Sequence, residues 1–180
     1  MSKIILVTGG ARSGKSRYAE SLLKNFNTVT YIATSVVEDD EMRDRVAMHR
    51  AQRPSEWPTV EAYKSIADKI GKSEGYLLDC VTVMTSNIMF EITAEYEKIP
   101  REAQDKVENA AKNELKALVD KVKEYDGTLV MVTNEVGDSI VPEHHVSRVY
   151  RDIIGRVNQY AASIADELWL TVCGIPMKVK

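Results

Sequence analysis

The residues "IILVTGGARSGKS", Ile4 to Ser16, run an apolar stretch into a glycine-rich turn, and then into a lysine and a serine that open a helix-like segment. Ile4 to Thr8 reads as a buried strand and Lys15 to Asn25 as a helix. Gly9, Gly14, Lys15 and Ser16 satisfy the spacing G-x-x-x-x-G-K-[ST], and a strand before and a helix after are the setting in which that spacing wraps phosphates. The glycines let backbone N–H groups curl around phosphate oxygens. The helix that follows aims the positive end of its dipole at them. Lys15 can reach the β- and γ-phosphates, and the Ser16 hydroxyl can hold Mg²⁺. The motif therefore predicts a nucleoside triphosphate, but does not choose a reaction.

The rest of the chain alternates short apolar runs with longer periodic ones. Thr28 to Thr34, Gly75 to Cys80, Thr128 to Thr133 and Glu167 to Val172 read as further strands. Asp40 to Gln52, Ser65 to Lys72, Thr82 to Glu91, Arg101 to Glu124 and Glu143 to Ala165 read as helices, with "RPSEWP" a breaker and Glu91 to Ile99 a loop. Alternation of this kind implies an α/β fold with a mostly parallel sheet and helices on both faces, and the glycine motif after the first strand makes the expected fold P-loop NTPase-like (RecA-like). At 180 residues the chain fits a single nucleotide-binding domain spanning 1–180.

A net charge of −3 gives no reason to expect nucleic acid or an anionic membrane as a partner. No apolar run approaches the length of a membrane span, and Ile4 to Val7 is too short for a signal peptide. The cytosol is the default compartment. Cys80 and Cys173 lie in or beside apolar runs and read as packed small hydrophobes, and no closely spaced Cys/His cluster suggests zinc.

Three further features bear on chemistry. "YLLDC" is an apolar strand ending in Asp79, the pattern of an aspartate that shares the Mg²⁺ with Ser16. In "DDEMRDRVAMHRAQRP", His49 shares a helical stripe with Met42, Val46 and Arg53, with Arg45 and Arg50 close by. A histidine there is a satisfied core residue, part of an exposed basic helix or, beside arginines suited to oxyanions, a nucleophile. "VTNEVGDSIVPE" follows a strand, so Asn134 and Glu135 belong either to an ordinary connector or to the functional edge of the sheet. His144 and His145 read as local surface residues at a helix start, or at most as substrate-adjacent ones.

Together these segments resemble the bifunctional adenosylcobinamide kinase / adenosylcobinamide-phosphate guanylyltransferase family of cobalamin biosynthesis. The resemblance runs nearly end to end through "GGARSGKS", "YIATS", "DDEM", "HRAQRPSEWPTVE", "LLDCVTVMTSN", "VTNEVGDSIVPE" and "RDIIGRVNQYAASIADELWL". It implies that ATP or GTP phosphorylates a hydroxyl of adenosylcobinamide, and that GMP then passes from GTP to that phosphate. It implies a guanylylated histidine at His49, with Lys15 assisting catalysis. Nucleotide contacts would fall on Gly9, Gly10, Ala11, Arg12, Ser13, Gly14, Lys15 and Ser16, on Thr34, Ser35 and Val36, on Arg50, Ala51, Gln52 and Arg53, and on Glu61 and Asp79. Met48 stands where relatives often carry a second histidine, and some relatives carry glutamate at position 79. Asp79 and Glu135 are candidate bases for the kinase step. A homotrimer with a corrinoid substrate is implied as well.

Two other readings compete. A plain P-loop kinase would transfer phosphate without a protein adduct. A nucleotide-gated switch would bind GTP without turnover, although "VTNEVG" is not the N-K-x-D guanine motif of such switches.

Overall fold

The computed structural model describes residues 2–35 and 56–180. The helix expected over Asp40 to Gln52 lies outside the described residues, as do Val36, Arg45, His49, Arg50, Ala51, Gln52 and Arg53.

The described elements are β1 (Lys3–Gly9), α1 (Lys15–Leu22), β2 (Val29–Ala33), β3 (Thr59–Glu61), α2 (Ile66–Lys69), β4 (Gly75–Asp79), α3 (Val81–Thr93), α4 (Arg101–Glu124), β5 (Thr128–Val132), α5 (His145–Ile164), β6 (Glu167–Val172) and β7 (Ile175–Lys178). They form one sheet in the order β3-β2-β4-β5-β1-β6-β7. All neighbours pair in parallel except β7, which runs antiparallel to β6. The sequence leads to five of these strands. It misses β3 and β7, which are short, largely exposed and held by pairing with β2 and β6.

The central strands are apolar throughout because both faces are covered. Ile4, Leu6, Ile32, Tyr76, Leu78, Leu129 and Met131 face α2 to α5. Ile5, Val7, Val29, Tyr31, Leu77, Val130 and Val132 face α1. Helix α4 packs one stripe, Ala103, Val107, Ala111, Leu115, Leu118, Val119 and Val122, into the first of these layers, each Leu or Val contributing about 1.5–3 kcal/mol by its burial. Helix α3 is buried along much of its length, and the Thr85 and Thr93 hydroxyls donate back to the Val81 and Met89 carbonyls, so neither of these two enters the core unpaired.

The two cysteines separate. Cys80 is buried, as expected, but Cys173 is exposed. It forms the β6–β7 turn with Gly174, at φ 51° and 83°, and a two-residue hairpin turn with both φ positive projects its side chains outward.

Candidate active site

Parallel register places the carboxyl ends of the strands in a row. Ala33 lies opposite Asp79 and Glu61, Asp79 opposite Val132, Val7 opposite Val132, and Gly9 opposite Thr171. At about 4.8 Å per strand, Asp79 is two strands from the start of the glycine turn, about 10 Å, and Glu61 is four strands away, about 19 Å.

The turn from Gly10 to Gly14 closes on itself through Ser13 N–H donating to the Gly10 carbonyl at 3.3 Å. Gly9 admits no side chain, since a Cβ there would lie 2.6 Å from the Thr171 carbonyl oxygen. Gly14 has φ +93° and sits where a Cβ would come within 3.1 Å of the Gly174 Cα. It also provides no side-chain cap for α1, so the first-turn N–H groups remain donors for an anion. The β6–β7 hairpin supports the turn from behind, with Gly174 N–H donating to the Ser13 carbonyl at 2.8 Å.

Lys15 is almost fully buried, and its Nζ donates to the Gly10 carbonyl at 3.0 Å, which places the ammonium across the turn. Burial pulls its pKa below the ordinary lysine value, against an opposing influence from Cys80 and Asp79. Strand alternation puts Asp79 on the α1 face, beside Tyr31. The Tyr31 hydroxyl donates to Asp79 Oδ2 at 2.5 Å. The Asp79–Cys80 peptide is cis.

Thr34 is also buried at this edge, and its hydroxyl is engaged by the backbone. It accepts from Cys80 N–H at 2.9 Å and donates to the Cys80 carbonyl at 2.9 Å, while Asn87 Nδ2 holds the Thr34 carbonyl at 2.7 Å. Thr34 thus ties the end of β2 to the end of β4. Thr34, Ser35 and Glu61 line a cleft of about 730 Å³ with Tyr63, Lys64 and Glu91. Among the described residues, the expected nucleotide contacts therefore fall into two groups: the glycine turn with Asp79, and this cleft farther along the same edge.

Beyond β5, Glu135 comes back to β1. Its N–H donates to the Gly9 carbonyl at 3.2 Å, and its Oε1 accepts from the Thr8 hydroxyl at 2.7 Å. Asn134 turns the other way. Its Nδ2 donates to Thr82 Oγ1 at 2.6 Å, and its carbonyl accepts from Asn158 Nδ2 at 3.1 Å. Tyr150 completes this buried network through the Thr82 carbonyl at 2.8 Å, and burial raises its phenol far above the ordinary tyrosine value. Of the two histidines at the start of α5, His144 is exposed, while His145 is half-buried rather than a surface residue.

Tyr31, Thr8 and Gly174 take part in this geometry without any pattern that marks a role for them, although Tyr31 opens the segment "YIATS". Tyr31 and Thr8 look like ordinary strand residues, and Gly174 lies far along the chain from the turn it supports. Among the described residues, no cluster of three or more His, Cys, Asp or Glu side chains could hold a metal by itself, and no helix is long and apolar enough to cross a membrane.

Residues 5–179 match the family described as cobinamide kinase / cobinamide phosphate guanyltransferase. The bifunctional adenosylcobalamin biosynthesis protein CobU of Escherichia coli (strain K12) is 44% identical over 98% of this chain and 99% of its own length. CobU of Salmonella typhimurium is 43% identical, again over 98% and 99%. The bifunctional protein CobP of Pseudomonas aeruginosa is 35% identical over 97% of this chain and 96% of its own length. With a Gly-x-x-x-x-Gly-Lys-Ser turn after β1, an aspartate two strands away on the same sheet edge and near-complete coverage by these relatives, the chain belongs to the cobinamide kinase / cobinamide phosphate guanyltransferase family, a family of transferases.

Proposed function

We propose that the chain, acting as a single domain, phosphorylates the hydroxyl on the aminopropanol arm of adenosylcobinamide and then transfers GMP from GTP to the new phosphate, giving adenosylcobinamide-GDP. The observation that carries this reading is the convergence on one sheet edge of the turn Gly9 to Ser16, the Lys15 ammonium across it, and the Asp79 carboxylate held by Tyr31.

The GMP transfer runs through His49. An imidazole nitrogen attacks the α-phosphorus of GTP, the bond to the pyrophosphate bridge breaks, and a phosphoramidate forms. A phosphate oxygen of the corrinoid then displaces the histidine. Two displacements of this kind replace one difficult step, and they give ping-pong kinetics. Arg50 and Arg53, with Ala51 and Gln52 between them, offset charge on the phosphoryl oxygens, and Lys15 does so from the turn. Ser35, Val36 and Glu61 meet the nucleoside end. Thr34 supports that contact through the backbone, because its hydroxyl is already engaged.

Ser16 and Asp79 fit Mg²⁺, which favours one or two carboxylates with substrate phosphates over an all-protein cage. Tyr31 holds one Asp79 oxygen and so aims the carboxylate. When bound, the ion neutralises charge on the phosphate oxygens. ATP and GTP are both nucleotide substrates in this reading. The protein works in the cytoplasm as a homotrimer, on a small-molecule corrinoid rather than on nucleic acid or a membrane.

The test is labelling with α-labelled GTP and Mg²⁺, quenched in alkali. Label on the protein is expected, and none on His49→Ala. Label retained by that variant removes His49 from the mechanism. Absence of label from both proteins, with corrinoid still phosphorylated, makes the chain a plain kinase.

A further inference from the structure

Two carboxylates flank the glycine turn, and their surroundings give them different work. Asp79 lies on the α1 face of the sheet, two strands from β1, with Oδ2 taken by the Tyr31 hydroxyl. Glu135 lies next to β1 itself. Its backbone N–H is bonded to the Gly9 carbonyl, and its Oε1 accepts from Thr8, whose side chain follows Ile4 and Leu6 toward the opposite face. Oε2 accepts no hydrogen bond from a described residue, and the side chain is exposed. Glu61 lies about 19 Å from the turn along the sheet edge, too far to reach a phosphate held there.

We infer that Glu135 is the catalytic base of the kinase step, a role that rests on the two-reaction reading above. In phosphoryl transfer the attacking and leaving oxygens lie roughly in line with the γ-phosphorus. A base therefore works on the side away from the leaving group, and needs a free oxygen fixed beside the phosphate site. Glu135 is an exposed carboxylate fixed beside the glycine turn, and we place it on the attacking side. Its bonds to Gly9 and Thr8 tie it to the turn, and Oε2, on an exposed side chain, is left for a substrate hydroxyl. The hydroxyl oxygen attacks the γ-phosphorus, and the bond from that phosphorus to the β,γ-bridging oxygen breaks. The hydroxyl proton passes to Glu135 Oε2 and then to solvent. The products are a phosphate monoester and a nucleoside diphosphate. Asp79 is left to the metal.

Glu135→Gln separates this role from a structural one, because the amide oxygen still accepts from Thr8 and the backbone bond to Gly9 is untouched. Two readouts are taken on the full-length variant: steady-state phosphorylation of adenosylcobinamide, and the alkali-stable label from α-labelled GTP, which uses no substrate hydroxyl. The expected result is a fall in the kinase kcat of about 100-fold or more with KM for the corrinoid little changed, the scale of a lost general base, while the protein takes up label at close to the wild-type rate. A kinase kcat within about threefold of wild type overturns the assignment. So does a parallel loss of both activities, which would make Glu135 a brace for the turn. If wild-type protein phosphorylates the corrinoid but takes no label, the His49 reading fails and the kinase rates alone decide for or against Glu135.

Discussion

Tyr31 shows how much a single side chain can decide. It is nearly fully buried, and its hydroxyl reaches Asp79 Oδ2 from the neighbouring strand. A carboxylate at a strand end has two oxygens and a free χ rotation. Fixing one oxygen aims the other, and preorganisation of this kind matters more to a metal contact than the modest energy of the bond itself. Tyr31→Phe is therefore expected to cost only about 1 kcal/mol of stability, but to raise several-fold the Mg²⁺ concentration that gives half-maximal kinase rate, as a titration of rate against Mg²⁺ would show. An unchanged Mg²⁺ requirement would mean that Tyr31 packs the α1 face and nothing more. Asp79 itself was legible in the sequence, because an apolar run ending in aspartate is a local pattern. Tyr31 was not legible, because nothing in the stretch between the pair, 48 positions apart, records that they meet.

At the scale of elements, the glycine turn is held from two sides. Helix α1 continues it, and the β6–β7 hairpin backs it through Gly174 and the Ser13 carbonyl. The two cysteines sit at such junctions and are in opposite states. Cys80 stands at the N-terminus of α3, where its sulfur accepts from Val83 N–H at 3.5 Å and lies 2.9 Å from Thr82 Oγ1. Burial pushes its thiol up to about 11. Cys173 lies exposed on the hairpin turn. Since the thiolate is the reactive form, iodoacetamide at about pH 8 is expected to modify native protein once per chain, at Cys173, and twice after denaturation. Mass spectrometry of the tryptic peptides reads the sites, and rapid native modification of Cys80 would contradict its burial. The helix boundaries were largely legible, and Arg101–Glu124 was read to the residue, because a 3.6-residue apolar stripe is visible in any sufficiently long helix. Strands β3 and β7 carry no comparable pattern. Each is an edge strand that exists because its neighbour offers a row of backbone donors and acceptors.

Over the whole molecule, the sheet brings together groups from both ends of the chain. Glu167 on β6 receives Lys178 Nζ at 2.9 Å, Lys3 Nζ at 2.9 Å and Trp169 Nε1 at 3.0 Å. The hydrogen bond from Lys178, followed by those from Lys3 and Trp169, holds its carboxyl down at about 2. A carboxylate with a lower pKa in the folded than in the unfolded chain adds stability above the unfolded value. That stability is lost as the pH falls through the folded one. Urea unfolding of wild type is therefore expected to weaken between about pH 4.5 and pH 2, and Glu167→Gln to flatten that slope. Equal slopes for the two proteins would show that Glu167 does not couple folding to protons. What the sequence determined by itself was whatever is written locally: the glycine turn, the order of strands and helices, the parallel α/β class that this order imposes, and a family resemblance spread over nearly the whole chain. What only the tertiary structure decided was which residues meet: Tyr31 with Asp79, Gly174 behind Ser13, and Thr8 with Glu135 across 127 residues. The reason is physical. Backbone conformation and amphipathic period are properties of neighbours along the chain, whereas a hydrogen bond between distant residues depends on strand order and register, which no short segment encodes.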